Sequence, residues 1–95
     1  MKLNPELIDR TLSQIHAESI PDDHPMYPRL RAVFGNHTFF LDESGLNIIE
    51  PVRERPETGV VMNVASWDDE EPPTLVAHPP HSTEVMVELR PQSLH

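Results

Sequence analysis

The first apolar pattern in the chain has the spacing of an amphipathic helix. Between residues 4 and 18, Ile8, Leu12 and Ile15 recur at intervals of three and four residues and therefore share one helix face. Asn4 is a favourable N-cap residue for such a helix. Because the apolar stripe is narrow, we predict that this helix, about 4–18, packs against another element.

A proline- and aspartate-rich segment, residues 19–28, predicts a loop. Beyond it the pattern changes to short runs of β-branched, aromatic and alternating apolar residues, which favour strands. The links between these runs are too short for parallel crossovers, so we expect an antiparallel meander over about 29–89. The runs are HTFFLD (37–42), LNIIE (46–50), VVMNVASW (60–67), TLVAH (74–78) and TEVMVEL (83–89).

The segment RLRAVF, residues 29–34, fits two structures. It can form a short helix that begins at Pro28 and is stopped by Gly35. It can also form a strand, because Gly35 and Asn36 would then make a two-residue hairpin turn into the next strand. The hairpin signal favours the strand.

These elements predict a small α+β fold in one domain, residues 1–95. Its N-terminal helix packs on an antiparallel β-meander of five to six short strands. A partly closed β-roll or barrel is the alternative. The tail, residues 90–95, is expected to be frayed.

The central strands carry apolar residues on both faces. Phe39 and Phe40 are adjacent, as are Ile48 and Ile49, and adjacent strand residues point to opposite sides of a sheet. One face can accept the helix, while the other needs barrel closure, the proline-rich loop or a second subunit. Since large exposed apolar patches mark interaction sites, Phe40, Ile49 and Trp67 are predicted partner-binding residues.

Charge and composition limit the partners. The net charge is −9, and Lys2 is the only lysine. Nucleic acids and anionic membranes both attract basic surfaces, so neither is an expected partner. A homodimer or an unidentified protein fits better, and the charge permits a basic one. The chain has no cysteine, no apolar signal segment and no membrane-length apolar stretch, which predicts a soluble cytoplasmic protein.

The histidines are the best candidates for metal chemistry. His78 and His81 bracket two prolines and could bind one zinc ion or another divalent transition metal, with His37 or His24 as a third ligand. The alternative interpretation of this segment is a rigid hairpin turn that carries two exposed histidines.

No other motif points to an enzyme. The serines do not lie in a nucleophile elbow, and the three glycines are too far apart to form a phosphate-binding loop. No catalytic or cofactor-binding residue is therefore assigned. The leading hypothesis is a non-enzymatic protein-binding or self-associating module. The alternative is a metal-binding protein or metal-dependent enzyme that uses His78 and His81.

Overall fold

A computed structural model describes residues 1–89 of the chain, which form two helices and a five-stranded sheet. The strands lie in chain order and each pairs antiparallel with its neighbour, so the predicted α+β meander is confirmed. The sheet is open, with the first and last strands at its edges. The elements are α1 (Pro5–Leu12), β1 (Glu18–Ile20), α2 (Tyr27–Phe34), β2 (Phe39–Asp42), β3 (Gly45–Val52), β4 (Arg55–Trp67) and β5 (Leu75–Glu88).

Helix α1 begins as predicted but ends earlier. The side chain of Asn4 accepts a hydrogen bond of 2.8 Å from the backbone N–H of Leu7. At the other end, the Ser13 hydroxyl and the Gln14 amide both donate to the Arg10 carbonyl, at 2.6 and 3.1 Å. Such side-chain bonds compete with the backbone bonds that would continue the helix. Residues 18–20, predicted to be the end of the helix and the start of the loop, instead form strand β1.

The prediction of a strand at residues 29–34 is wrong, because this segment lies within helix α2. The helical conformation places Tyr27, Leu30 and Phe34 on one side, and all three pack into one apolar cluster with Phe39. Gly35 ends the helix with φ of +96°, a conformation that glycine adopts readily. Gly35 therefore caps a helix and does not turn a hairpin.

The prediction of two strands separated by a turn at residues 79–82 is also wrong, since β5 runs unbroken for 14 residues. Pro79 and Pro80 lie within it because β5 is an edge strand and because its pairing with β4 shifts register beside them, so that neither missing N–H belongs to a regular ladder. Two register shifts in the β4–β5 pairing accommodate the irregular backbone. The meander therefore has five strands, and β4 and β5 are long.

Each face of the sheet is covered by one helix. Phe39 belongs to a cluster with α2, and Phe40 belongs to a second cluster with α1; both phenylalanines are completely buried. We call these the α2 face and the α1 face. The second apolar face is thus covered by the segment that was predicted to be a strand. Neither helix in the described chain is long and apolar enough to span a membrane.

Candidate functional site

His78 lies where the sheet is least regular. The β4–β5 register shifts between Asn63 and Ala65, and the β3–β4 register shifts between Leu46 and Asn47. Bulges of this kind leave an extra residue on one strand and redirect its side chains, and they are common beside functional sites. The polar side chains gathered here form what we call the polar cluster, which consists of Asp42, Asn47, Asn63, Ser66 and His78.

The polar cluster is a directed chain of hydrogen bonds. The Asn47 amide donates to Asp42 Oδ2 at 2.9 Å, and the Asn63 amide donates to Asn47 Oδ1 at 2.8 Å. His78 Nε2 lies 2.6 Å from Asn63 Oδ1. Asn47 and Asn63 are almost completely buried, and no buried side-chain nitrogen or oxygen in residues 1–89 lacks a partner. Such a network stabilises the fold because every member is satisfied.

This chain determines where the His78 ring carries a proton. The amide nitrogen of Asn63 faces Asn47, so its oxygen faces His78 and can only accept. Nε2 of His78 is therefore a donor. Ser66 Oγ is also close, at 2.9 Å from Nε2 and 3.0 Å from Asn63 Oδ1. A serine nucleophile needs a base with a free lone pair, which a protonated Nε2 does not offer. Ser66 donates to Asn63, and the cluster does not activate it.

The second ring nitrogen of His78 also faces an acceptor. Nδ1 lies 2.8 Å from the Pro79 carbonyl oxygen. Both ring nitrogens of His78 therefore face oxygen atoms of the protein. His81 stacks on this ring, with 4.9 Å between centroids and 30° between planes. His78 is therefore held in place on both edges and on one face.

The three histidines of the predicted metal site are separated. His78 and His81 are adjacent, but His37 belongs to a different cluster beside the chain terminus. Within residues 1–89, no three or more His, Asp or Glu side chains are arranged to hold a metal ion. A metal ligand needs a free lone pair, and both nitrogens of His78 face protein oxygens. Metal binding at His78, His81 and His37 stays a prediction.

His37 helps to bind the α-ammonium group of Met1. That group lies 2.6 Å from His37 Nδ1 and donates to the Ile49 carbonyl at 2.7 Å, with Glu50 Oε1 at 3.6 Å. Burial lowers the pKa of His37, and repulsion by the ammonium lowers it further, while Glu50 opposes both effects. Burial also lowers the pKa of the Met1 ammonium, against the attraction of Glu50. A neutral His37 can accept a hydrogen bond from the Met1 ammonium at Nδ1.

His37 and His78 line one cleft of about 560 Å³ between α2 and the sheet. Its walls are mostly apolar, with Glu50 as the acidic group. The volume lies within the range of small-molecule sites. Its other lining residues are Val33, Phe34, Ile48, Val64, Ala77 and Pro80.

The three predicted partner-binding residues lie in two environments. Phe40 and Ile49 are completely buried beneath α1, so a partner would reach them only if α1 moved away. Trp67 is 36% exposed and donates from Nε1 to the Asp42 carbonyl at 2.9 Å. Of the three, only Trp67 presents a side chain to a partner in this conformation.

Most of the exposed large apolar side chains lie at one edge of the sheet. Four of the six in the described chain are at β5 or directly beside it. Val76, Val85 and Met86 belong to β5, and Trp67 pairs with its first residue. Sequence reasoning missed this edge because it placed a turn in the middle of β5.

Sequence reasoning also missed the polar cluster. One signal was present, since Asn47 and Asn63 interrupt otherwise apolar strands. A buried amide inside a strand needs a hydrogen-bond partner, and two such amides in neighbouring strands are candidates to bond to each other.

Comparisons with known proteins do not identify a family. A scan of protein-family models, a search of curated proteins and a search of solved structures found no match. A function for this chain therefore has to be inferred from its own geometry.

We expect Asn63→Ala to reduce the free energy of unfolding by about 2–3 kcal/mol, because it removes the donor to the buried Asn47 Oδ1 and an acceptor from the half-buried His78 Nε2. Urea denaturation followed by circular dichroism would measure the change. Asn36→Ala, at an exposed position, is the control and should cost less than about 0.5 kcal/mol. Equal effects of the two substitutions would contradict the role given to the polar cluster.

His37 predicts a pH-dependent stability. Its pKa lies below the ordinary value of 6.5 in the folded chain, so the unfolded chain binds more protons in this range. The stabilisation is complete above pH 6.5 and is lost as pH falls through the lower, folded-state pKa. Below pH 6.5, we expect the melting temperature of His37→Gln to fall less steeply with decreasing pH than that of the wild type. His16→Gln, at an exposed position, should retain the wild-type slope, and a fall unchanged by His37→Gln would refute the assignment.

Proposed function

We propose that this protein is a non-enzymatic protein-binding module that uses the exposed side chains of edge strand β5. The observation that carries the proposal is the concentration of exposed apolar side chains, Val76, Val85 and Met86, on this strand. Apolar groups clustered on a soluble surface mark interaction sites more often than scattered ones do. The polar cluster supports a non-enzymatic role, because it gives Ser66 no base.

The position of β5 supports binding at this edge. Helices α1 and α2 cover the two faces of the sheet, so the apolar residues of β2 to β4 are enclosed within the chain. An edge strand presents unpaired peptide groups to which another chain can bind. Pro79 and Pro80 supply no N–H in the middle of β5, so its two ends are the better pairing surfaces.

The charge of the chain distinguishes two kinds of partner. Two copies with a net charge of −9 repel each other, and salt weakens that repulsion, so a homodimer should strengthen at high salt. A basic partner is attracted, and its binding should weaken at high salt. A cytoplasmic location and the exclusion of nucleic acids stay predictions.

Self-association is the first test. If β5 binds a second copy, native mass spectrometry of untagged protein should show a dimer whose share rises with concentration and salt. Met86→Lys should reduce that share about tenfold or more, because it places a charge in the contact. Val33→Lys changes a more exposed apolar residue on α2 and should leave the dimer intact.

A dimer that persists in Met86→Lys but is lost in Val33→Lys would place the interface on α2 and contradict binding through β5. A monomer at every concentration would exclude self-association and leave a different protein as the partner.

A metal-binding function is the second candidate, supported by the 4.9 Å stacking of His78 and His81. Metal coordination would require His78 to release Asn63 or Pro79. If the pair binds zinc, the native spectra should show one ion per chain, lost in both His78→Gln and His81→Gln and retained in His16→Gln. A spectrum without zinc at saturating concentrations would exclude this function.

A further inference from the structure

The direction of the peptide groups at the end of β5 follows from one hydrogen bond. The N–H of Leu89 donates to the Glu57 carbonyl on β4 at 2.7 Å, so Leu89 points into the sheet. In an antiparallel pair, successive residues alternate between bonding to the partner strand and pointing away from it. The peptide groups of Glu88 and Met86 therefore point away from β4, towards the open side of the edge.

Gln14 already bonds to this edge. Its side-chain nitrogen donates to the Glu88 carbonyl at 2.9 Å, and the Glu88 N–H donates to its oxygen at 2.8 Å. A primary amide bonded in this way supplies one donor and one acceptor, as a residue of a neighbouring strand does. Gln14 thus imitates an added strand at a single residue, which shows that the edge can be paired.

The rest of the outer edge is less available. The N–H groups of Glu84 and Val85 donate to local acceptors, the hydroxyl oxygens of Ser82 and Thr83, at 3.0 and 3.2 Å. Glu84 also has a φ of +66°, which interrupts the regular strand. Regular pairing is therefore confined to Met86–Glu88 at this end of β5.

We infer that the outer edge of Met86–Glu88 is a strand-pairing surface for an extended peptide segment carrying lysine or arginine, and that Gln14 occupies part of it in the free protein. The inference rests on the proposed function and specifies its surface and partner. Glu84 and Glu88 flank the exposed Val85 and Met86, so alternating basic and apolar residues match this edge. A second copy would bring acidic residues to an acidic edge.

The test uses a short synthetic peptide of alternating lysine and valine, labelled for fluorescence anisotropy. We expect it to bind the wild-type chain and to bind Gln14→Ala up to about tenfold more tightly, because the internal competitor has been removed. Ser13→Ala changes the neighbouring exposed residue and should bind as wild type does. Circular dichroism would verify that all three proteins are folded.

Two further peptides separate strand pairing from charge attraction. A lysine–valine peptide with alternate N-methylated peptide bonds keeps its charge but cannot pair as a strand, and it should not bind. A glutamate–valine peptide should not bind because of charge repulsion. Binding of the N-methylated peptide equal to that of the unmodified one would overturn the inference.

The remaining outcomes separate this inference from the proposed function. If Gln14→Ala binds the peptide no better than wild type, the role of Gln14 is refuted, while an effect of Met86→Lys on association would still support binding through β5. If Gln14→Ala dimerises without peptide, the occupant is a second copy and the basic partner is refuted. If no peptide binds any variant, the inference fails whatever the concentration dependence of the mass.

Discussion

Two adjacent phenylalanines determine how the rest of this chain is arranged. Phe39 and Phe40 point to opposite faces of the sheet, and both are completely buried. A sheet with an apolar residue on each side of the same strand cannot leave either face in water. The helices α1 and α2 are therefore both required, and each covers one of the two phenylalanines. Replacement of a large buried aromatic residue by alanine typically costs about 3–5 kcal/mol, so each covering helix contributes substantially to stability.

The enclosure of both faces places the remaining chemistry at the margins of the sheet. His37 binds the terminal ammonium at one margin, and His78 completes the polar cluster where β4 and β5 lose their regular register. In both places a histidine satisfies groups of its own chain. Within residues 1–89, most of the exposed large apolar side chains lie at the β5 edge, which pairs with no other described strand on its outer side.

The sequence predicts those parts of the fold that depend on local patterns. The Asn4 cap, the strands β2 and β3 and the antiparallel meander follow from the type and spacing of residues, and all are present. The prediction of a strand at residues 29–34 is wrong because a glycine such as Gly35 can either end a helix or turn a hairpin. The choice between them depends on the tertiary contact of Tyr27, Leu30 and Phe34 with Phe39.

The candidate site was harder to predict, for two physical reasons. A pair of prolines usually ends a strand, so the sequence predicts two strands where the structure has β5 alone. An irregular edge strand is the exception that tolerates prolines. The polar cluster joins β2, β3, β4 and β5, and its members come together only through strand register. His78 was recognised from its own sequence motif, whereas its partners Asn63 and Asn47 were not.

The amide chain from Asn47 to His78 also bears on how the strands find their alignment. The sequences of β3 and β4 contain the neighbouring pairs Ile48–Ile49 and Val60–Val61, so hydrophobic burial alone barely distinguishes the native register from one shifted by a residue. A shift would move Asn63 away from Asn47 and leave an amide unbonded in the apolar interior. The two asparagines thus specify the register of β3 and β4 by making shifted pairings unfavourable, while the apolar residues around them supply most of the stabilisation.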